Sequence, residues 1–438
     1  MDTKLYNDKN IILLTIDCLR ADHLYCMRYN KEVTPTIDNL AKNGVLFTNA
    51  FANAPYTPYS IPSFITSKLP PVKNFETNIA EVLKKNGYST AAFNPNPIIF
   101  SDSFQGCDIR DGFDVYDIML NYKMRFNLVI GGLRAYFMRY FIRSFDKKSH
   151  IFRVIYSVLN KFIKTFPTVF YPKEYLNIPN ADKINQRAFS WIKNQKGKFF
   201  LWLHYMDVHD PYAPLSYENQ SELLYLITKY RDFPNMLTKQ EIDKLIILYD
   251  LEIKVVDNAI KNLVNNLKEL NLIKNSIIII SADHGEEFGE HDAYGHGQEF
   301  KPHLYDECIH VPLIIYGIEE KGIIIDKQVQ LLDLSPTICE LLNLPIPTSF
   351  LGKSLFKDDD KGIIIISEFE IAYRTKDYKL IISKSSKDKN ELYDLKNDPF
   401  EKNNIYKNSK FRQKAESDMI SILKNYYKRN ELKNIIKK

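Results

Sequence analysis

Residues Tyr249–Gly285, YDLEIKVVDNAIKNLVNNLKELNLIKNSIIIISADHG, hold the fold in two halves. In the first half, apolar residues recur every three to four positions, the pattern of a long amphipathic helix. The second half contains four consecutive isoleucines, Ile277 to Ile280. That run is too short for a helix of its own and reads as a strand buried on both faces. It ends at Asp283, just before His284 and Gly285. A helix feeding a fully buried strand is the repeating unit of an α/β domain.

Working outward, the unit recurs. NIILLTID (10–17) and KFFLWLHYMD (198–207) read as further buried strands, the second ending near His204. TPTIDNLAKNGVLFTNAF (34–51) reads as an N-capped helix that turns through Gly44 into a strand, and NIAEVLKKNGYSTAAF (78–93) repeats this through Gly87. The expected fold is α/β, a sheet with helices on both faces. After about Pro345 the character changes. GIIIISEFE, YRTKDYKLIIS and NELYDL read as short antiparallel strands, followed by a basic helix over about 410–427. The expected organisation is a catalytic domain over 8–345 and a small sheet-plus-helix domain over 346–438.

Composition narrows the class. The chain has 438 residues, 45% hydrophobic, with 28 Tyr and 27 Phe, which is enough apolar surface for a large core and argues against disorder. Five scattered cysteines, with no CxxC pair, do not make a disulfide framework. With a polar N-terminus and no apolar run of membrane-spanning length, the expectation is a cytoplasmic protein. The net charge of +5 is unevenly placed: residues 121–170 carry ten Lys or Arg against one acid, Asp146. This basic, aromatic segment, about 121–171, reads either as a helical insert over the catalytic face or as a surface for an anionic partner. Such a partner would be a lipid headgroup at a membrane surface, a glycan or a lipid-linked substrate. No nucleic-acid motif accompanies it.

Ligands of open α/β sheets bind beyond the carboxyl ends of the strands. Three expected strands end in groups able to hold a metal or move a proton. The first ends at Asp17. The second gives His204 and His209. The third opens SADHGEEFGEHDAYGHG (281–297), with Asp283, His284, Glu286, Glu287, His291 and His296. Three of the nine histidines fall between 284 and 296. A mixed carboxylate–imidazole set suits one divalent ion of the Mn²⁺ or Zn²⁺ kind better than Ca²⁺.

These residues carry a family resemblance. NIILLTIDCLRADHL, TPTIDNLAKNGVLFTNAFANAPYT, WLHYMDVHDPYAP, SADHGEEFGEHDAYGHG and YDECIHVPLIIYG resemble the sulfatase family of the alkaline phosphatase superfamily. LLDLSPTICELLNLPIP, GKSL and ELYDLKNDPFEKNNI resemble its later segments. The resemblance runs from about Lys9 to Tyr406, interrupted by the basic segment. It implies an alkaline-phosphatase-like mixed sheet between helices, a small C-terminal α+β domain, and a metal-activated nucleophile acting on a sulfate or phosphate ester. By position it implies Asp17, Asp283 and His284 as metal ligands, with Ca²⁺ the ion of the family's calcium branch. His209 matches the substrate-side histidine. Lys301 and His296 compete for the group that reaches the ester oxygens or the leaving oxygen.

The same resemblance bears on APYTPYSIPSFITS (54–67). The family carries Cys-x-Pro-Ser-Arg, whose Cys or Ser becomes formylglycine, several residues before a Thr-Gly pair. Matching that pair to Thr66-Ser67 places the nucleophile at Thr57. A second frame matches Ser60-Ile61-Pro62-Ser63 and makes Ser60 the modified residue. No Cys lies in the stretch, and the motif's Arg falls on Ile61 or Phe64. Threonine cannot become formylglycine by the usual oxidation. The resemblance therefore points to a branch that uses an unmodified hydroxyl, also coordinated to the metal, as hydrolase or phosphotransferase. The other readings are a formylglycine sulfatase acting through Ser60 and a metal-binding homologue without turnover. Oligomeric state is unreadable.

Overall fold

The computed structural model describes residues 6–96, 108–120, 178–214, 216–296, 304–318, 322–357, 362–407 and 411–427, with Lys161 and Ser409 besides. The basic segment 121–171, Lys161 apart, and Lys301 lie outside the described residues.

The strands of the first sheet are β1 (Asn10–Ile16), β2 (Val45–Phe51), β3 (Ser89–Phe93), β4 (Val115–Asp117), β5 (Phe199–Tyr205) and β6 (Ser276–Ala282). A two-stranded hairpin, β7 (Glu287–Phe288) and β8 (Tyr294–Gly295), follows, and then β9 (His310–Tyr316) and β10 (Ile323–Gln330) complete the sheet. The eight strands run in the order β10-β2-β9-β6-β1-β5-β3-β4. β9 is antiparallel to both its neighbours, and the remaining pairs are parallel, so the sheet is mixed. β1, β5 and β6 are buried along their whole length. Each buried Ile, Leu or Phe there contributes about 1.5–3 kcal/mol relative to exposure, which fixes these three strands at the centre. Where their carboxyl ends fall is thereby fixed too.

Helices α1 (Pro35–Lys42), α2 (Thr57–Thr66), α3 (Ile79–Lys85), α4 (Ala181–Ile192), α5 (Gln220–Asp232) and α6 (Lys239–Glu269) cover the sheet. α1, α4 and α6 pack together, and α2 packs with α3 and with α8 (Leu334–Leu341) beyond the short α7 (Asp306–Ile309). The expected long helix begins ten residues earlier than its apolar pattern suggests. Thr238 and Glu241 close a reciprocal capping box at its start. The expected N-cap of α1 is also served differently. The Asp257 carboxylate on α6 accepts from the Thr36 and Ile37 amides at 2.8–3.0 Å, so the two helices are tied end to side.

The C-terminal sheet is antiparallel: β11 (Ile363–Ile366), β12 (Glu370–Arg374), β13 (Tyr378–Ser383) and β14 (Glu391–Asp394). Its alternation has period two. Ile364 and Ile366 pack under Ala415, Met419 and Leu423 of α9 (Arg412–Tyr426). Ile363 and Ile365 pack the other way, against Phe51, Cys308 and Ile309 of the large domain. Between the sheets sits an ionic knot. Arg374 pairs with Asp306 at 2.7 Å, and the wholly buried Lys379 bridges Asp306 and Glu401 at 2.8 and 2.6 Å.

Candidate active site and metal centre

Strand register brings the expected ligands together. Ile16 of β1 lies beside Tyr205 of β5 and Ala282 of β6. Asp17 and Asp283, each one residue past these pairs, therefore leave the sheet side by side, and His204 sits one step back beside Thr15. The helix after β2 presents Thr57 to the same point. Its Oγ1 lies 3.1 Å from His284 Nε2 and 3.4 Å from Asp17 Oδ2. Asp17, Asp283, His284 and Thr57 are all buried.

His284 is aimed by its neighbours. Its Nδ1 lies 2.9 Å from the Gly285 carbonyl, so Nδ1–H donates there and the Nε2 lone pair is left facing the Thr57 hydroxyl, 3.5 Å from carboxylate oxygens of Asp17 and Asp283. Gly285 is required by close approach: a β-carbon would fall 2.0 Å from the Glu307 carbonyl oxygen. Burial pushes His284 below the ordinary histidine value, which keeps it neutral and able to ligate. Asp17 works against burial, and the nearby His209, His204 and His284 nevertheless hold it well below the usual carboxylate range. Its Oδ2 also accepts from Asn96 at 3.1 Å and lies 3.2 Å from His204 Nε2, while His204 Nδ1 is braced by Thr15.

The fit to a divalent ion can be judged from the donors present. Asp283 Oδ2 is buried without a hydrogen-bond partner among the described residues. No Lys or Arg pairs with Asp17, Asp283 or Glu286 among the described residues. Two sets sharing Asp17, with His204 and Asp283 or with Cys18 and His284, bring three ligand atoms within 4.8 Å of one another. An orphaned carboxylate oxygen, uncompensated negative charge and a pre-aimed imidazole together fit a metal ion.

His209 and His296 stand beside this group. Ring centroids are 4.4 Å apart for His284–His296 and 4.9 Å for His296–His209, so the three imidazoles form a row. Burial opposes protonation of His296, but the Glu286 carboxylate, 3.1–3.2 Å from Nδ1, pushes it up to about 9. His209 is the partly exposed member, its Nδ1 2.6 Å from the Asp210 carbonyl. Lys301 lies outside the described residues. His291 is not in this row: it stacks on Tyr305 at 3.7 Å and faces Glu307.

Three of the other aliphatic hydroxyls of 54–67 have structural work, whereas Ser63 Oγ is buried without a hydrogen-bond partner among the described residues. Ser60 donates to the Asp283 carbonyl at 2.6 Å, Thr66 to Pro62, and Ser67 to Leu332. Ser60 thus braces the ligand strand one turn behind Thr57. Two residues at the site had no assigned role in the sequence, and a third, Glu286, stood only among the candidates after the third strand. Cys18 Sγ lies 3.2 Å from Asp17 Oδ1 and 3.4 Å from His296 Nδ1, Asn96 holds Asp17, and Glu286 holds His296. Position behind Asp17 was the only local signal for Cys18. Asn96 had none.

Comparison with known proteins agrees with this architecture. The Sulfatase family profile matches residues 9–344, and the chain belongs to that family. The profile described as N-sulphoglucosamine sulphohydrolase, C-terminal, matches residues 366–429. Human arylsulfatase K is 30% identical over 190 residues, 38% of this chain and only 34% of the relative, so about a third of that protein is spanned. An ulvan-active sulfatase from Formosa agariphila is 23% identical over 431 residues, 90% of this chain and 76% of the relative. The crystal structure of the phosphonate monoester hydrolase of Agrobacterium radiobacter superposes with a TM-score of 0.65 at 17% identity, covering 96% of each chain, which speaks to the fold.

Proposed function

We propose that the protein is a metal-dependent ester hydrolase, with transferase chemistry open to the same site, acting on a sulfate or phosphate ester of an anionic glycan or lipid-linked molecule. The observation that carries this reading is Thr57 Oγ1 at the meeting point of His284 Nε2 and Asp17 Oδ2. Asp17, Asp283 and His284 would hold one divalent ion, with Thr57 Oγ1 as a further ligand, and Mn²⁺ or Zn²⁺ suits these donors. Such an ion, when bound, lowers the pKa of the hydroxyl and neutralises charge on the ester.

The remaining steps belong to side chains. Thr57 attacks the central atom of the ester and forms a covalent intermediate. It stands at the first turn of α2, whose positive end favours the anionic group. His209 and His296, with Lys301, would stabilise the equatorial oxygens and protonate the leaving oxygen. The buried Ile61 leaves the family's arginine without a counterpart at that position, so this cationic group matters more here. Because threonine cannot become formylglycine, the chain is read as belonging to the branch without that cofactor. A phosphorylated threonine is opened by water, whereas a sulfated one lacks the hemiacetal-type release. The chemistry thus favours phosphate, and the names of the relatives favour sulfate. The commitment of Ser60 to the Asp283 carbonyl speaks against the formylglycine reading.

The test is turnover of aryl sulfate, aryl phosphate and phosphodiester substrates with added Mn²⁺ or Zn²⁺, with Thr57→Ala as control. Full activity in that variant removes Thr57 from the role. A two-hydrogen mass loss on the Ser60 peptide restores the formylglycine sulfatase. No turnover with tight metal binding leaves a binding homologue. A cytoplasmic location is part of the same proposal and is checked by cell fractionation.

A further inference from the structure

We infer that His204 is a positioning residue: its Nε2–H holds Asp17 Oδ2 and so turns Asp17 Oδ1 alone towards the ion. This role depends on Asp17, Asp283 and His284 being the metal ligands. Spacing leaves two roles open to His204. One ligand atom each from Asp17, His204 and Asp283 lies within 4.8 Å of the others, so distance alone would also make His204 a ligand. The hydrogen bonds decide between the two.

A buried chain runs from the core to the site. Thr15 and His204 are partners across β1 and β5, and Trp202 stands two residues back on the same face as His204. Trp202 Nε1, which can only donate, lies 2.9 Å from Thr15 Oγ1. Thr15 Oγ1 lies 2.8 Å from His204 Nδ1, and His204 Nε2 lies 3.2 Å from Asp17 Oδ2. All four residues are fully buried, so each of these protons needs an acceptor. The Thr15 hydroxyl accepts from the indole and has no acceptor other than His204 Nδ1 among the described residues, so its proton goes there. With Nδ1 accepting, the proton of the neutral imidazole sits on Nε2 and points at Asp17 Oδ2. The reverse order would strand the Thr15 proton and set a nitrogen lone pair against a carboxylate oxygen. A nitrogen that carries this proton does not bind an ion.

The two oxygens of Asp17 are thereby made unequal. Oδ2 takes N–H donors from His204 and, at 3.1 Å, from Asn96. Oδ1 faces the weak thiol donor of Cys18 at 3.2 Å and His284 Nε2 at 3.5 Å. The oxygen beside the other ligand is therefore the one left open to the ion. A partner behind a ligating group, fixing its orientation, is what metal sites ordinarily build, and here the chain Trp202–Thr15–His204 supplies it. One-oxygen binding by Asp17 suits the compact shell of Zn²⁺ better than the larger oxygen shell of Ca²⁺.

The experiment records the imidazole N–H signals of the ¹⁵N-histidine-labelled full chain by NMR, first chelator-stripped and then loaded with Zn²⁺, and titrates Zn²⁺ into three variants. A slowly exchanging Nε2–H signal, assigned by its loss in His204→Gln, is expected in both states. His204→Leu should weaken Zn²⁺ roughly 10–100-fold, and His204→Gln, whose side-chain N–H can reach the same oxygen, should restore most of that affinity. Thr15→Val keeps the shape but cuts the link to Nδ1, and should weaken Zn²⁺ by less than His204→Leu. Where His204→Leu fails to melt cooperatively, the signal and Thr15→Val decide. Loss of the Nε2–H signal on loading makes His204 a ligand and overturns the inference. So does unchanged Zn²⁺ affinity in His204→Leu, or an equal loss in His204→Leu and His204→Gln, which a purely structural role would give. A wild-type chain that takes up no Zn²⁺ removes the metal reading itself, and this role with it.

Discussion

Two buried clusters of charge in this molecule are built on opposite principles. The knot between the two sheets sets Asp306 and Glu401 against Arg374 and Lys379, two anions against two cations, with contacts of 2.6–2.8 Å. The cluster at the strand ends sets Asp17, Asp283 and Glu286 against imidazoles among the described residues. The knot closes on itself and behaves as a joint. In the strand-end cluster Glu286 holds His296 up to about 9, but the two aspartates Asp17 and Asp283 face no Lys or Arg among the described residues, and an added cation would relieve their charge. Both clusters contain fully buried charged groups, Lys379 in one and Asp17 and Asp283 in the other, so the balance of formal charge is what separates a structural joint from a site.

The comparison is broken most directly at Thr57. Thr57→Ala should lower kcat by roughly 10⁴-fold or more, the scale seen when a nucleophile is removed. Its melting temperature should change little without metal, since the Thr57 hydroxyl contacts only the Asp17 and His284 side chains of the site. Lys379→Met should do the reverse. It leaves Asp306 and Glu401 without their shared cation and should cost about 3–5 kcal/mol in urea unfolding, with metal stoichiometry unchanged. Adding Zn²⁺ or Mn²⁺ at a hundred times its dissociation constant should stabilise the protein by about 2.7 kcal/mol, read as a rise in melting temperature that chelator reverses. Asp283→Asn should abolish that rise and, by removing one of several like charges, raise the stability of the metal-free protein by about 1 kcal/mol. An Asp283→Asn variant less stable without metal would contradict the excess-charge account.

Acid should act on the joint. Burial works against ionised Asp306, but Arg374 and Lys379 hold its folded pKa below the ordinary 3.8. The stability it contributes is therefore fully present above 3.8 and is lost as pH falls through the folded value. Asp306→Asn should flatten that acid limb of the stability profile without altering the dependence on metal.

Much of this was legible in the sequence for identifiable reasons. Buried parallel strands are continuous apolar runs, so β1, β5 and β6 could be read directly, and ligands collect at their ends, so Asp17, Asp283 and His284 could be read as well. Thr57 followed from spacing within the family resemblance. The start of α6 at Thr238 was written in the capping box but hidden by the stronger apolar pattern beyond it. Cys18 and Asn96 were not legible as site residues, and Glu286 stood among the candidates without a role, because nothing local distinguishes a buried Cys, Asn or Glu that packs from one that holds a ligand in place.

The sequence by itself determined which strands are buried, where they end and which carboxylates and imidazoles stand there, because period and apolar length act over a few residues. Tertiary structure decided which of those groups meet. The parallel register that sets Ile16 beside both Tyr205 and Ala282 joins positions more than 180 residues apart. The left-handed turn at Cys18 depends on a hydroxyl from Tyr249, the first residue of the stretch that reveals the fold. Contacts of that range are fixed by packing of the whole sheet, and no local pattern encodes them.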